Sequence, residues 1–280
     1  MTLQGRDATT PACGGGDYDV IGRFAAGETD RRGRAVPLAG GAWQDLWRAW
    51  PPLLAYGLAL AAFSVWMTLS FVATGGAFWV FALTCGFVFV APMLAMGLYE
   101  AGALLARGER PTLGRMLFVP RALSADVAIL GLALLMIFFF WLQIAQIVYG
   151  LSTWVIYRTV ETLAAFALTT PEGHRMLIVG SLIGGAIAFL TYGLVVISAP
   201  MLLDRGTSVF AATVTSFRAV AANFGPMIVW ALLIAALTLS TILTGFLALV
   251  IVFPWLGLAT WRAYGELVEA SDASTLGAVP

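Results

Sequence analysis

The sequence predicts an all-α, polytopic membrane bundle: six transmembrane helices arranged as three like-oriented hairpins, with amphipathic helices lying on the membrane surface. Three observations predict it. The 280 residues are 60% hydrophobic and 11% charged, where a soluble domain carries roughly a quarter charged residues. The apolar residues fall in runs long enough to cross hydrocarbon, and the arginines gather between alternate runs. One globule of this size cannot hide that much apolar surface, so lipid is its solvent.

A span needs about twenty apolar residues, at a rise of about 1.5 Å each, to cross roughly 30 Å of hydrocarbon. The runs that qualify are 53–73, 77–100, 126–149, 174–203, 226–243 and 246–264. Thr74-Gly75-Gly76 is the turn between the first two. The fourth is introduced by Thr170 as N-cap and Pro171 at the first helical position. The last two come from one apolar stretch of thirty-five residues, Met227 to Trp261, which as a single helix would be about 52 Å long. Thr244-Gly245 divides it, as a hairpin; the alternative is a re-entrant loop that moves the C-terminus to the other side.

Arginine placement orients the chain, because short cytoplasmic loops carry the excess of basic residues. Arg31, Arg32, Arg34 and Arg48 precede the first span, and Arg107, Arg110, Arg115 and Arg121 separate the second from the third. Arg205 and Arg218 lie between the fourth and fifth, and Arg262 follows the sixth. The opposite side holds Arg158 and Arg175. Both termini are therefore expected in the cytoplasm of a bacterial inner membrane; a GC-rich genome accounts for fifteen arginines and no lysine. Residues 1–37 are rich in Gly, Asp, Arg and Thr and lack the apolar core of a secretory signal, so they read as a disordered cytoplasmic arm. Residues 38–268 form the membrane domain, and 269–280 a short cytoplasmic tail.

Three stretches read as surface helices. Trp43, Leu46, Trp47 and Trp50 recur at helical spacing with Gln44, Asp45 and Arg48 opposite, the pattern of an interfacial helix with aromatic anchors. Residues 208–222 repeat it with Val209, Phe210, Val214, Phe217 and Val220, with Thr207 as cap. On the far side Leu151, Trp154, Val155, Val160, Leu163 and Ala164 form a third. Membrane seating explains all three; partner binding is the other use.

An internal repeat underlies the hairpins. Ala91–Leu94 and Ala199–Leu202 both read APML, and Phe253–Leu256 reads FPWL. Pro92, Pro200 and Pro254 thus fall in the cytoplasmic halves of the second, fourth and sixth spans. Arg-Ala pairs at 48–49, 121–122 and 218–219 precede the first, third and fifth. The repeat is parallel, unlike the inverted repeats of many secondary transporters. Proline frees the carbonyl four residues earlier, so kinks at matching depths would frame a central cavity, or are simply inherited with the duplicated hairpin.

Chemistry is scarce. The formal net charge is zero, which excludes broad electrostatic steering toward nucleic acid. One histidine, His174, and two cysteines, Cys13 and Cys85, build no zinc, haem or iron–sulfur site. No cofactor is expected. The deep parts of the spans hold no Asp, Glu, Arg or His, which disfavours proton pumps, carboxylate-coupled antiporters and intramembrane proteases. Glu100, Arg107, Asp126, Asp204, Arg205 and Arg218 stand at cytoplasmic ends, where Glu100 with Arg107, and Asp204 with Arg205 or Arg218, are interface pairs. Gln143 and Gln146 share one face of the third span, either as interhelical glue or lining a vestibule. Gly180, Gly184 and Gly185 form a small-residue patch for close packing.

The stretches GAWQDLWRAWPPLLAYGLAL, VAPMLAMGLYEAGALLARGERP, ISAPMLLDR, TSFRAVAANFGPM and VIVFPWLGLATWRAY resemble a family of bacterial multi-pass membrane proteins, the domain of unknown function numbered 2189. The resemblance runs from about Leu38 to Val268. It implies an integral inner-membrane protein and carries no assigned activity. The label "cytochrome oxidase subunit I-like" sometimes given to members does not suit a chain without histidines in its spans. Where relatives have Gly-His-Ala-Thr-Trp, this chain has Gly257-Leu258-Ala259-Thr260-Trp261. The expected function is a non-enzymatic accessory or structural membrane component, in contact with the lipid bilayer and with a membrane-protein partner. The alternative is a transporter or channel for a small neutral or lipid-like solute.

Overall fold

A computed structural model describes the backbone of residues 35–276 and the side chains of residues 40–266. The expected arm 1–37, with Cys13 and Arg31, Arg32 and Arg34, falls almost wholly outside the described residues. So do the side chains of the expected tail 269–280.

The described backbone is helical and contains no strand. Helix α1 (Ala35–Arg48) leads into α2 (Trp50–Ala73). Pro51 and Pro52 occupy the first turn of α2, where their missing N–H groups cost nothing. Then come α3 (Ala77–Leu94), α4 (Met96–Ala106), the short α5 (Leu113–Leu117) and a 3₁₀ turn (Pro120–Leu123). Helix α6 (Ala125–Ser152) is capped by Ser124, and α7 (Val160–Thr169) by Thr159. Helix α8 (Pro171–Val195) starts on Thr170, whose hydroxyl accepts from Gly173 N at 3.0 Å. The chain ends with α9 (Ser198–Arg205), α10 (Val209–Ala222), α11 (Phe224–Leu243) and α12 (Leu249–Leu276).

Among the described residues, five segments are long and apolar enough to cross a membrane: Trp50–Ala73, Ala77–Leu94, Ala125–Ser152, Pro171–Arg205 and Phe224–Leu243. The expected sixth span is shorter than a membrane. From Leu249 to the first charge, Arg262, α12 offers thirteen uncharged residues, about 20 Å of helix. Its start also lies deep. A Cβ added at Gly57 would stand 2.3 Å from the Val250 carbonyl oxygen, so Val250 is level with a residue only seven positions into α2. Thr74 is seventeen residues further along α2, about 26 Å away. The turn between α11 and α12 is therefore level with the middle of α2 and well short of the α2–α3 turn.

The other end of α12 lies beside α1, α4 and α9. A re-entrant shape at Thr244-Gly245 thus leaves the Arg262 end of α12 at the same end of the bundle as α1, contrary to the shift expected of such a loop. This end, the near end, also holds most of the core. Leu98 of α4, Leu202 and Leu203 of α9, and Leu258 and Ala259 of α12 are all buried in one cluster. The contacts at this end follow a cycle: α1 packs on α12, α5 on α4, and α10 on α9.

Two other expected elements differ. The expected helix over 151–164 is split: α6 stops at Ser152, α7 starts at Val160, and the Tyr149 hydroxyl ties the loop between them by accepting from Tyr157 N and donating to Val155 O. The cap of α10 is Ser208 in place of Thr207, because the Ser208 hydroxyl lines up with Ala211 N.

The prolines explain the helix breaks. Pro200 cannot bond to the Val196 carbonyl, and the chain breaks at Val196–Ile197. Buried Ser216 of α10 repairs the break, accepting from Ile197 N at 3.2 Å and donating to Gly193 O at 2.7 Å. After Pro92 the break falls at Ala95, and the Tyr56 hydroxyl of α2 donates to Leu94 O at 2.6 Å. Helix α12 runs through Pro254 without a break, and the carbonyl that Pro254 frees, that of Val250, faces Gly57. Neighbouring helices thus supply partners for backbone that lipid would leave bare.

Candidate functional site

Because α12 starts level with the middle of α2, a space beside its start is left to be shared by the far half of α2, the length of α3 from Val80 to Leu94, the last turns of α11, and Phe138 of α6. There the structure holds a half-enclosed cavity of about 220 Å³. Its wall on α2 runs from Leu60 to Phe71, a length of about 16 Å. Thr241, Phe246 and Leu249 form its wall on the α11–α12 turn.

The lining is hydrocarbon and aromatic, with five hydroxyls. Those of Ser64, Thr84 and Thr241 donate within their own helices, to Leu60 O, Val80 O and Thr238 O. They therefore satisfy themselves without a ligand. An apolar cavity of this kind stays dry or takes an apolar guest.

The turn that borders the cavity is built for a place without water. Every backbone N–H from Thr244 to Val252 is hydrogen-bonded within the segment: Phe246 N to Thr241 O at 2.7 Å, Ala248 N to the Thr244 hydroxyl at 3.0 Å, Leu249 N to Phe246 O at 3.1 Å. Gly245 and Phe246 take positive φ, +58° and +69°, to close it. For phenylalanine that conformation costs on the order of 1–2 kcal/mol, which the closed hydrogen-bond set offsets.

None of the three prolines lines the cavity; Val90 and Leu94, which flank Pro92, do. Pro200 and Pro254 are buried in helix contacts instead. Gln143 and Gln146 lie outside it as well. Both are exposed on α6 and make no hydrogen bond among the described residues. Of the glycine patch, Gly184 is the one in tight contact, against the Trp141 ring. Trp141 is a hub that sequence reasoning missed: its indole N–H crosses from α6 to Ala82 O on α3 at 3.1 Å. Trp43, Trp47 and Trp50 are exposed, as is Arg48.

The charged groups at the near end join helices to one another. Glu100 lies 3.9 Å from Arg107, the expected pair, and 3.4 Å from Arg115; Glu109 completes the group at 2.7 Å from Arg115. Asp126 accepts from Val209 N at 2.8 Å, a carboxylate at the N-terminus of α10. Asp204 accepts from the Tyr264 hydroxyl at 2.9 Å and forms no ion pair with exposed Arg218. Arg205 interacts with the same tyrosine. Arg121 donates to Leu203 O and Asp204 O, placing a cation at the C-terminus of α9.

Asp45 departs most from its expected place. The helical spacing sets it on the polar face opposite the tryptophans, but it is buried and paired with Arg262, whose Nε donates to Oδ2 at 2.6 Å. The guanidinium lies over Gly41, where a Cβ would come within 2.4 Å. This pair fastens α1 to α12 across 217 positions of sequence, and nothing local in either segment signals it.

No curated protein and no solved structure matches the chain. Residues 80–204, from α3 to α9, match the model of the family described as predicted integral membrane protein (DUF2189), the same family whose motifs the sequence resembles.

Proposed function

We propose that the chain is a non-enzymatic accessory or structural component of the bacterial inner membrane, with both termini cytoplasmic. The observation that carries this reading is the use made of its charged and polar groups. Asp45 and Arg262, Asp204 and Tyr264, Asp126, and Arg121 are each committed to joining one helix to another. The six membrane segments are three like-oriented pairs, the third of them shallow. The near-end cycle of α1 on α12, α5 on α4 and α10 on α9 supports that arrangement, and arginine placement supports the orientation. The bilayer is its first partner, and a membrane protein its second.

Native membranes solubilised in several gentle detergents test the reading, with native mass spectrometry of the purified full chain. A partner at fixed stoichiometry is expected. A lone monomer in every detergent would overturn it.

The cavity favours a second reading, a transporter or channel for a small neutral or lipid-like solute. Against it, the cavity ends at Leu94 and Leu249, and beneath them Leu98, Leu202 and Leu258 are packed without a gap to solvent. Solute flux through proteoliposomes above the protein-free rate would favour this reading.

A further inference from the structure

We infer that the cavity above α12 is a binding site for one hydrocarbon chain, the acyl chain of a membrane lipid. Placement, dimensions and chemistry support the site independently of the proposed accessory role. Placement comes from Gly57 against Val250: α12 begins at mid-depth, so the cavity lies between segments that cross the membrane, at the level of lipid tails. It extends about 16 Å along α2, from Leu60 to Phe71, and about 21 Å along α3, from Val80 to Leu94, for about 220 Å³. That is below the roughly 300–1,000 Å³ of pockets for compact drug-sized ligands, and it suits a linear chain.

The chemistry favours an apolar guest. Ser64, Thr84 and Thr241 are already bonded to their own helices, and of the lining hydroxyls only those of Thr68 and Thr238 remain to replace a polar guest's hydration. The α11–α12 turn likewise offers no free N–H between Thr244 and Val252. Phe63, Met67, Phe71 and Leu239 present flat and flexible apolar surface; methionine in particular adapts to an irregular guest. The headgroup stays outside the cavity, and no residue of the lining recognises it.

The test uses the full-length protein in nanodiscs of phosphatidylethanolamine and phosphatidylglycerol. These are doped with phosphatidylcholine that carries a diazirine in one acyl chain. Irradiation and peptide mapping compare labelling at Met67, inside the cavity, with labelling at Phe140, 61% exposed on α6 and open to bulk lipid. Ser64→Phe fills the cavity, and Ser64→Leu fills it more gently should the first variant fail to fold. The inference expects labelling at Met67 to fall at least ten-fold in a filled variant while Phe140 is unchanged. It also expects the wild-type chain to retain one lipid through detergent exchange in native mass spectrometry. A retained phospholipid mass identifies a bilayer lipid as the source, and a fatty-acid mass a free chain. Labelling at Met67 that survives filling, or a wild-type chain that retains neither, would overturn the site.

Discussion

Ser216 and Tyr56 show how single side chains make a broken helix tolerable in lipid. Pro200 and Pro92 interrupt their helices, and hydroxyls from adjacent helices take up the backbone groups left over. A buried group stripped of its partner costs about 1–3 kcal/mol, against about 0.5–1.5 kcal/mol for a typical hydrogen bond. Ser216 serves two groups and Tyr56 one. Ser216→Ala is therefore expected to lower thermal stability in detergent by more than Tyr56→Phe, by about 1–3 kcal/mol. Equal effects, or none from Ser216→Ala, would show that the break is satisfied in another way. The prolines were legible in the sequence as a repeat, and their positions anticipate the breaks. The repairing hydroxyls were not, because a hydroxyl in an apolar run has no sequence mark to separate a bond within its own helix from one across a gap.

At the scale of elements, one ion pair and an edge contact of Trp43 with Trp255 tie α1 to α12. The Arg262 side chain is 39% exposed and that of Asp45 11%, so solvent screens the arginine more than the carboxylate. Removing the arginine leaves a mostly buried carboxylate with only the exposed Arg48 beside it, at 3.9 Å, close to the costly arrangement of a buried charge without a partner. Arg262→Gln is expected to free α1 and make trypsin cut faster after Arg48, while Asp45→Asn with Arg262→Gln restores part of the protection. If single and double variants are cut at the wild-type rate, the pair does not hold α1 in place. Helix starts with local chemistry, such as Thr170-Pro171, were readable in advance; a pairing across 217 positions was not. The same limit applied to Asp45 itself. It falls opposite the tryptophans on a helical wheel, and that face reads as water until α12 is known to cover it.

For the whole molecule, hydropathy made the membrane class and five of the segments plain. It said less about depth. The apolar stretch from Met227 to Trp261 is long enough for two short spans, and counting residues cannot distinguish two short spans from one tilted helix followed by a half-length one. The depth of α12 comes from a tertiary contact, Gly57 against Val250, and the cavity exists because of it. Both the architecture and the lipid site therefore turn on where the α11–α12 turn lies. A single cysteine at Leu247, in a chain with Cys13 and Cys85 replaced by serine, reports this through a membrane-impermeant maleimide. Trp154→Cys, in a fully exposed loop, marks the far side, and Thr112→Cys marks the near side. The account predicts that Trp154→Cys labels on intact cells and Thr112→Cys only after permeabilisation. It predicts that Leu247→Cys labels in neither case until detergent is added. Labelling of Leu247→Cys on intact cells at the rate of Trp154→Cys would contradict it, since the turn would then reach the far surface and α12 would be a full span.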